Sequence, residues 1–186
     1  MYSAKYIISY ILTFIMGIYF SIIPNGHMVI VERGHFEEGL SINNEEEAED
    51  FLWENLSSFL EDLDVVCEGE EDGSYIFSQE YDGIPVLFTE ITVSSNDDGA
   101  ALSGTYAQIS HLNTTPKKSE DACMEKALSY MDDDPYDAYL CIYPKNKNAQ
   151  DGICYLVYCF LSDEKAVYIN AHTGRFIAQE DLSSAE

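Results

Sequence analysis

The sequence predicts an α+β protein built from two similar units, each one helix packed on an antiparallel β-meander, behind an N-terminal apolar helix. Three observations carry this. Apolar residues recur at helical spacing over residues 44–63 and again over residues 119–131. Each stripe is followed by β-type runs separated by turn signals (Asp72-Gly73, Asp98-Gly99, Thr173-Gly174). The run Asp72-Gly73-Ser-Tyr75-Ile-Phe77 answers Asp151-Gly152-Ile-Cys-Tyr155-Leu-Val157, so the plan occurs twice. The divisions that follow are a transmembrane anchor or signal segment at 1–26, a linker at 27–43, a first unit at 44–112, a second at 113–180 and a tail at 181–186.

The N-terminal segment sets the compartment. No formally charged residue lies between Lys5 and Glu32, and Tyr6 to Pro24 is almost entirely Ile, Leu, Phe, Met and Tyr. At 1.5 Å per residue these nearly match a hydrocarbon core of about 30 Å. Two readings stand: an uncleaved anchor or a secretory signal peptide. The long apolar stretch and the lack of a small-x-small cleavage site favour the anchor. Lys5 on the short side places the N-terminus inside and the folded part outside the cell membrane. With cleavage at residues 1–24 the protein is secreted instead.

In the first unit Asn44 caps a helix, with Glu47 three residues on as in a capping box. Ala48, Phe51, Leu52, Leu56, Phe59, Leu60 and Leu63 form its core-facing stripe, and Glu45, Glu46 and Glu47 suit the positive end of the helix dipole. Trp53 lies off the stripe, at a boundary or an interface. Strands are expected over 75–81, 86–94 and 101–109, with a Gly83-x-Pro85 corner between the first two. In the second unit Ser119 opens a helix with the stripe Cys123/Met124, Ala127/Leu128 and Met131, ending before Pro135. Strands at 138–143, 153–161 and 166–170 follow, then a turn at His172-Thr173-Gly174 leading to Arg175-Phe176-Ile177.

Nine basic against 34 acidic residues give a formal charge of −25, which argues against nucleic acid and anionic lipid as partners. With 46% hydrophobic and 13% aromatic residues the chain is no disordered acidic tail; the charge is read as a solvated surface that keeps it soluble. The five cysteines, Cys67, Cys123, Cys141, Cys154 and Cys159, match no zinc spacing. In an exported chain Cys141 and Cys159, on neighbouring strands, are the first choice for a disulfide; the alternative is that all five are small buried hydrophobes.

Gln79-x-Tyr81-x-Gly83-Ile-Pro85-Val86, the apolar strand after it, Asp98-Gly99 and Leu102-Ser-Gly104 resemble the prodomain of thermolysin- and fungalysin-type metalloproteases. The second half resembles the PepSY module that follows it in those precursors. Ser119-Glu-Asp-Ala122 begins the matching helix, and Asn170-Ala171-His172-Thr173-Gly174 stands where the family has Asp-Ala-x-Thr-Gly, with Asn for Asp. Gly83, Pro85, Gly99, Ala171, Thr173 and Gly174 are the motif positions, and their implied role is structural. The layout is also similar to Yyc-type regulators, which sit beside a cell-wall sensor histidine kinase in Gram-positive bacteria. The resemblance spans about residues 44–178 and implies a bacterial, extracytoplasmic, non-catalytic domain that binds or restrains another protein. The implied partner is a protease or a membrane sensor kinase.

No H-E-x-x-H and no G-x-S-x-G occurs, so the chain reads as a stand-alone prodomain-like protein, with no cofactor or metal expected. His27 and His35 fall in the linker, His111 between the units and His172 in a turn; none has a metal partner at helical or motif spacing. A Cys123/His111 pair rests only on both residues existing. The acidic clusters Asn96-Asp97-Asp98 and Asp132-Asp133-Asp134 with Asp137 lack the spacing of an EF-hand calcium loop. By period two, Tyr75, Phe77, Gln79 and Tyr81 share one sheet face, the candidate partner-binding surface. The alternative is that such strands are packed core. The function expected is regulation by contact; the rivals are a secreted hydrolase with an unrecognised site and a structural envelope protein.

Overall fold

The computed structural model describes residues 26–56, 64–145 and 153–182. Among these residues it is a mixed α+β fold of mostly antiparallel strands with two helices. Strands β1 (Gly26–Glu38), β2 (Asp64–Glu71), β3 (Ser74–Tyr81), β4 (Ile84–Pro85), β5 (Glu90–Asn96) and β6 (Gly99–Ile109) form a first sheet in the order β1-β6-β5-β3-β2, with β4 paired to β3. Strands β7 (Asp137–Pro144), β8 (Cys154–Leu161), β9 (Lys165–Asn170) and β10 (Phe176–Asp181) form a second, in sequence order.

Helix α1 (Glu45–Leu56) begins as its polar residues dictate. Asn44 Oδ1 accepts from the Glu47 amide at 3.0 Å. The Glu47 carboxylate reaches back one residue further than a simple capping box, accepting from the Asn43 amide at 2.8 Å and its side-chain nitrogen at 3.1 Å. Those bonds hold the Glu47 carboxyl below its usual pKa. Ala48, Phe51, Leu52 and Leu56 then bury against Tyr75, Phe77, Ile91, Val93 and Leu102. Trp53 is half-buried at the edge of this core, its Nε1 3.3 Å from Glu49. Phe59, Leu60 and Leu63 of the expected stripe lie outside the described residues.

Two-residue Asp-Gly turns close β2–β3 and β3–β4. Asp72 and Gly73 have φ of 50° and 75°, Asp82 and Gly83 of 53° and 71°, the positive pairs that match strand twist in a hairpin. In the β5–β6 turn Asn96 Oδ1 accepts from the amides of Asp98 and Gly99. Close strand approach explains Gly99 and Gly104: an added Cβ would lie 2.2 Å from the Glu37 carbonyl oxygen and 2.1 Å from that of Glu90.

Three expectations are corrected here. Much of the presumed linker at 27–43 is strand β1, which satisfies the outer edge of the long β6. Strand β2 was not expected, because its acidic composition hides its pairing with β3. The presumed strand 86–94 is broken: Phe88 takes φ of 63° and β5 starts only at Glu90, because Val86 and Leu87 leave the first sheet for the second.

Helix α2 (Glu120–Ala127) is capped by Ser119, whose Oγ accepts from the Ala122 amide at 3.3 Å. Cys123, Ala127 and Met131 pack on Phe160, Val167 and Ile169, while Leu128 is exposed rather than part of the stripe. Tyr130 stacks on Phe176 at 4.2 Å. The units join where Val86 bridges Ile142 in parallel and the Leu87 amide donates to the Ile142 carbonyl at 2.9 Å. Around that seam Val86, Ala107, Ile109, Leu112, Ile142, Leu156 and Ala171 form one core drawn from both sheets. No helix among the described residues is long and apolar enough to cross a membrane; the expected N-terminal helix lies outside them, as does Asp151-Gly152 of the repeat.

Candidate interaction surface

The residues proposed as a docking face are mostly interior. Tyr75 is 7% exposed, Phe77 1% and Gln79 3%; only Tyr81 is half-buried. The physical reason is α1, whose stripe covers the face that Tyr75 and Phe77 share. Gln79 does a strand's work. Its Nε2 donates to the Ala107 carbonyl and its Oε1 accepts from the Ala107 amide, both at 2.8 Å. It thereby joins β3 to β6 where β5 has not yet begun. Beside it Thr89 Oγ1 donates to the Val86 carbonyl at 2.7 Å, and the Val86 amide donates to the Gln79 carbonyl at 2.8 Å.

The motif turn of the second unit is also architecture. Asn170 Oδ1 accepts from the amides of His172 (3.0 Å) and Thr173 (2.8 Å) and from the Thr173 hydroxyl (3.0 Å). The buried Ala171 donates to the Leu156 carbonyl, and its own carbonyl accepts from the amides of Lys117 and Lys118. Gly174, with φ of 68°, closes the turn onto Asn170. Pro85, on β4, pairs with Glu80 and is exposed.

Titratable groups separate into structural roles. His172 Nε2 lies 2.9 Å from the Asn113 carbonyl, and its Nδ1 is buried without a hydrogen bond. His111 sits in the connection with φ of 56°, while Cys123 is buried on the core-facing side of α2. Asp132 pairs with Lys165, and Asp97 and Asp98 are turn residues. No cluster of three or more His, Cys, Asp or Glu able to hold a metal occurs among the described residues.

The second sheet brings Cys141 and Cys159 together. Cys141 pairs with Val157 and Cys159 with Tyr139, so the two are diagonal neighbours on one face. Both are fully buried thiols. A hydrogen bond from Cys141 holds Cys159 below its usual pKa, with further donors in Tyr139 and Tyr168, whereas the same bond and burial push Cys141 up. Tyr143 and Tyr168 pack at 4.6 Å, and the Tyr168 hydroxyl donates to Glu180 at 3.3 Å. The structure holds both residues as thiols.

An open groove of about 340 Å³ lies on the first unit, between α1 and the preceding loop. Leu40, Ile42 and the buried Phe51 supply an apolar floor; Glu47, Asp50 and Glu54 line its helix side, all exposed. The loop is held by two bonds to the hairpin opposite: the Gly39 amide to the Asp98 carbonyl and the Ile42 amide to Ser95 Oγ, each at 3.0 Å. Whole-chain charge conceals what surrounds this groove. Residues 34–116 hold 20 of the 34 acidic residues and none of the nine basic ones. That gap in positive charge is visible in the sequence itself.

No family model matches the chain, and no curated protein matches it. Among solved structures it is similar to the C-terminal domain of YpeB from Bacillus megaterium, with a TM-score of 0.39 and 16% identity over 84% of this chain and 71% of that one. That is a coarse likeness.

Proposed function

We propose that this chain is a non-catalytic, PepSY-like regulatory protein that works outside the cytoplasm by contact with another protein, a protease or a membrane sensor kinase. Residues 1–26 are its membrane anchor, or its export signal where cleaved. The observation that carries the reading is the charge segregation: residues 34–116 hold 20 carboxylates and no lysine or arginine. Such a field repels anionic polymers and speeds encounter with a cationic surface. Support also comes from the interior, where the conspicuous polar groups (Gln79, Asn170, Thr89) satisfy backbone groups rather than converge on a cleft.

The test is a photo-crosslinking residue at Glu54 in the native membrane, with assay of whatever is captured. One dominant protease or kinase whose activity changes when this chain is added supports the reading. Turnover of a hydrolase substrate by the purified chain, abolished by a single His or Cys substitution, overturns it.

A further inference from the structure

Resting on the reading of the first unit as a partner-binding face, we propose that the α1 groove binds an extended basic peptide segment of that partner. One apolar side chain of the segment seats on Leu40, Ile42 and Phe51, and flanking lysine or arginine heads pair with Asp50 and Glu54.

Three observations lead there. First, the groove is amphipathic: its floor is apolar and its helix rim carries three exposed carboxylates. A floor of that kind is wasted on a simple ion and suits a side chain with a hydrocarbon body. Second, the carboxylates form a line rather than a cage. At 1.5 Å rise, Asp50 and Glu54 lie about 4.5 and 10.5 Å along the helix axis from Glu47. A single divalent cation needs its oxygens converging at about 2.1–2.6 Å, whereas an extended chain advances about 3.3 Å per residue and sets same-face side chains, two positions apart, at about 6.6 Å, close to the about 6 Å between Asp50 and Glu54.

Third, this chain has no cation of its own to fill the site from nearby sequence, since Lys and Arg are absent from 34 to 116. The loop wall is neutral, supplied by Ser41 and Asn43, and further carboxylates lie behind it. The loop is bonded to the hairpin tip bearing Asp97 and Asp98, and Glu38 pairs with Gly99 on the adjoining strand. Glu47 is already engaged in capping, so Asp50 and Glu54 are the residues whose charge is free for a partner without cost to the helix start.

The test uses the full chain in non-ionic detergent and a labelled peptide of lysines flanking a single leucine, followed by fluorescence anisotropy at physiological salt. The comparison peptide has glycine for leucine. Asp50→Asn with Glu54→Gln should weaken leucine-peptide binding about tenfold, the combined loss of two exposed ion pairs. Asp133→Asn with Asp134→Asn, an equal charge change at exposed sites on the second unit, should alter it by less than about twofold. The leucine peptide should bind several-fold tighter than the glycine one.

Equal weakening by both double variants would show a diffuse field and sink the proposal. So would equal binding of the two peptides, no binding, or displacement by stoichiometric calcium, which would make the rim an ion site. A protease or kinase captured from the membrane equally well by the Asp50→Asn/Glu54→Gln chain would overturn the groove while leaving the broader function standing.

Discussion

Replacing Gln79 with leucine tests whether one buried amide sets the seam between the two units. The side chain is 3% exposed and makes two 2.8 Å bonds to a single residue, Ala107, which is itself 1% exposed. Leucine is close in volume, so packing changes little, but the Ala107 amide and carbonyl lose their partners with no water to replace them. Each such loss costs about 1–3 kcal/mol, giving about 2–6 kcal/mol for the pair. Burying a leucine returns about 1.5–3 kcal/mol. The net expectation is a loss of about 2 kcal/mol, or a fall of about 1 M in the urea midpoint. Trp53, the sole tryptophan, reports on the first unit by fluorescence.

Gln79→Glu sharpens the test. An ionised carboxylate still accepts from the Ala107 amide but cannot donate to the Ala107 carbonyl, and burial raises its folded-state pKa. Its stability should be highest below the unfolded pKa of about 4.3 and should decline as pH rises through the folded value. Gln108→Ala, at an exposed neighbouring position, should be silent. A Gln79→Leu protein within about 0.5 kcal/mol of the parent, or a Gln79→Glu protein indifferent to pH, would refute this account of the seam.

Asn170→Ala should cost about 1–3 kcal/mol in urea melts by orphaning the turn donors of His172 and Thr173; Asn170→Asp should stay near the parent, because the bonds use only Oδ1 as acceptor. Burial pushes the Cys154 thiol up to about 12 from 9.0, so below pH about 8.5 both states keep the proton and stability is full. Above that the unfolded chain ionises first and this group lowers stability by about 1.4 kcal/mol per pH unit, a slope that Cys154→Ala should reduce in melts between pH about 8.5 and 10. Under native conditions N-ethylmaleimide should label Cys67, the half-buried thiol of the five, and spare Cys123, Cys141, Cys154 and Cys159 until urea is added; rapid native labelling of Cys141 or Cys159 by mass spectrometry would contradict the packing of that face.

What could be read in advance follows from what kind of signal each element leaves. The stripe Ala48, Phe51, Leu52, Leu56 is periodic because one helix face is buried, and it appears as drawn. The turns at Asp72-Gly73 and Asp82-Gly83 are written in residue type because only certain residues take positive φ. Strand β2 left no such mark. As an edge strand it carries Glu68, Glu70 and Glu71 outward, and only Val65 and Cys67 pack on the core. The repeated plan held the missing clue, since β7 follows α2 as β2 follows α1.

The face of Tyr75, Phe77 and Gln79 shows a different limit. Period two assigns residues to one side of a strand and is silent about what lies over that side. The answer sat some twenty residues earlier, in the apolar stripe of α1, which needed a sheet face of its own to bury against. Once that face is spent on α1, the solvent side of the same helix is what the first unit presents there. There the useful signal is not an apolar pattern but the missing opposite charge: Glu47, Asp50 and Glu54 face water in a stretch without one lysine or arginine. A net charge of −25 taken over the whole chain reads as solubility. The same charge resolved along the chain has a location, residues 34–116, and that location is what the proposed groove rests on.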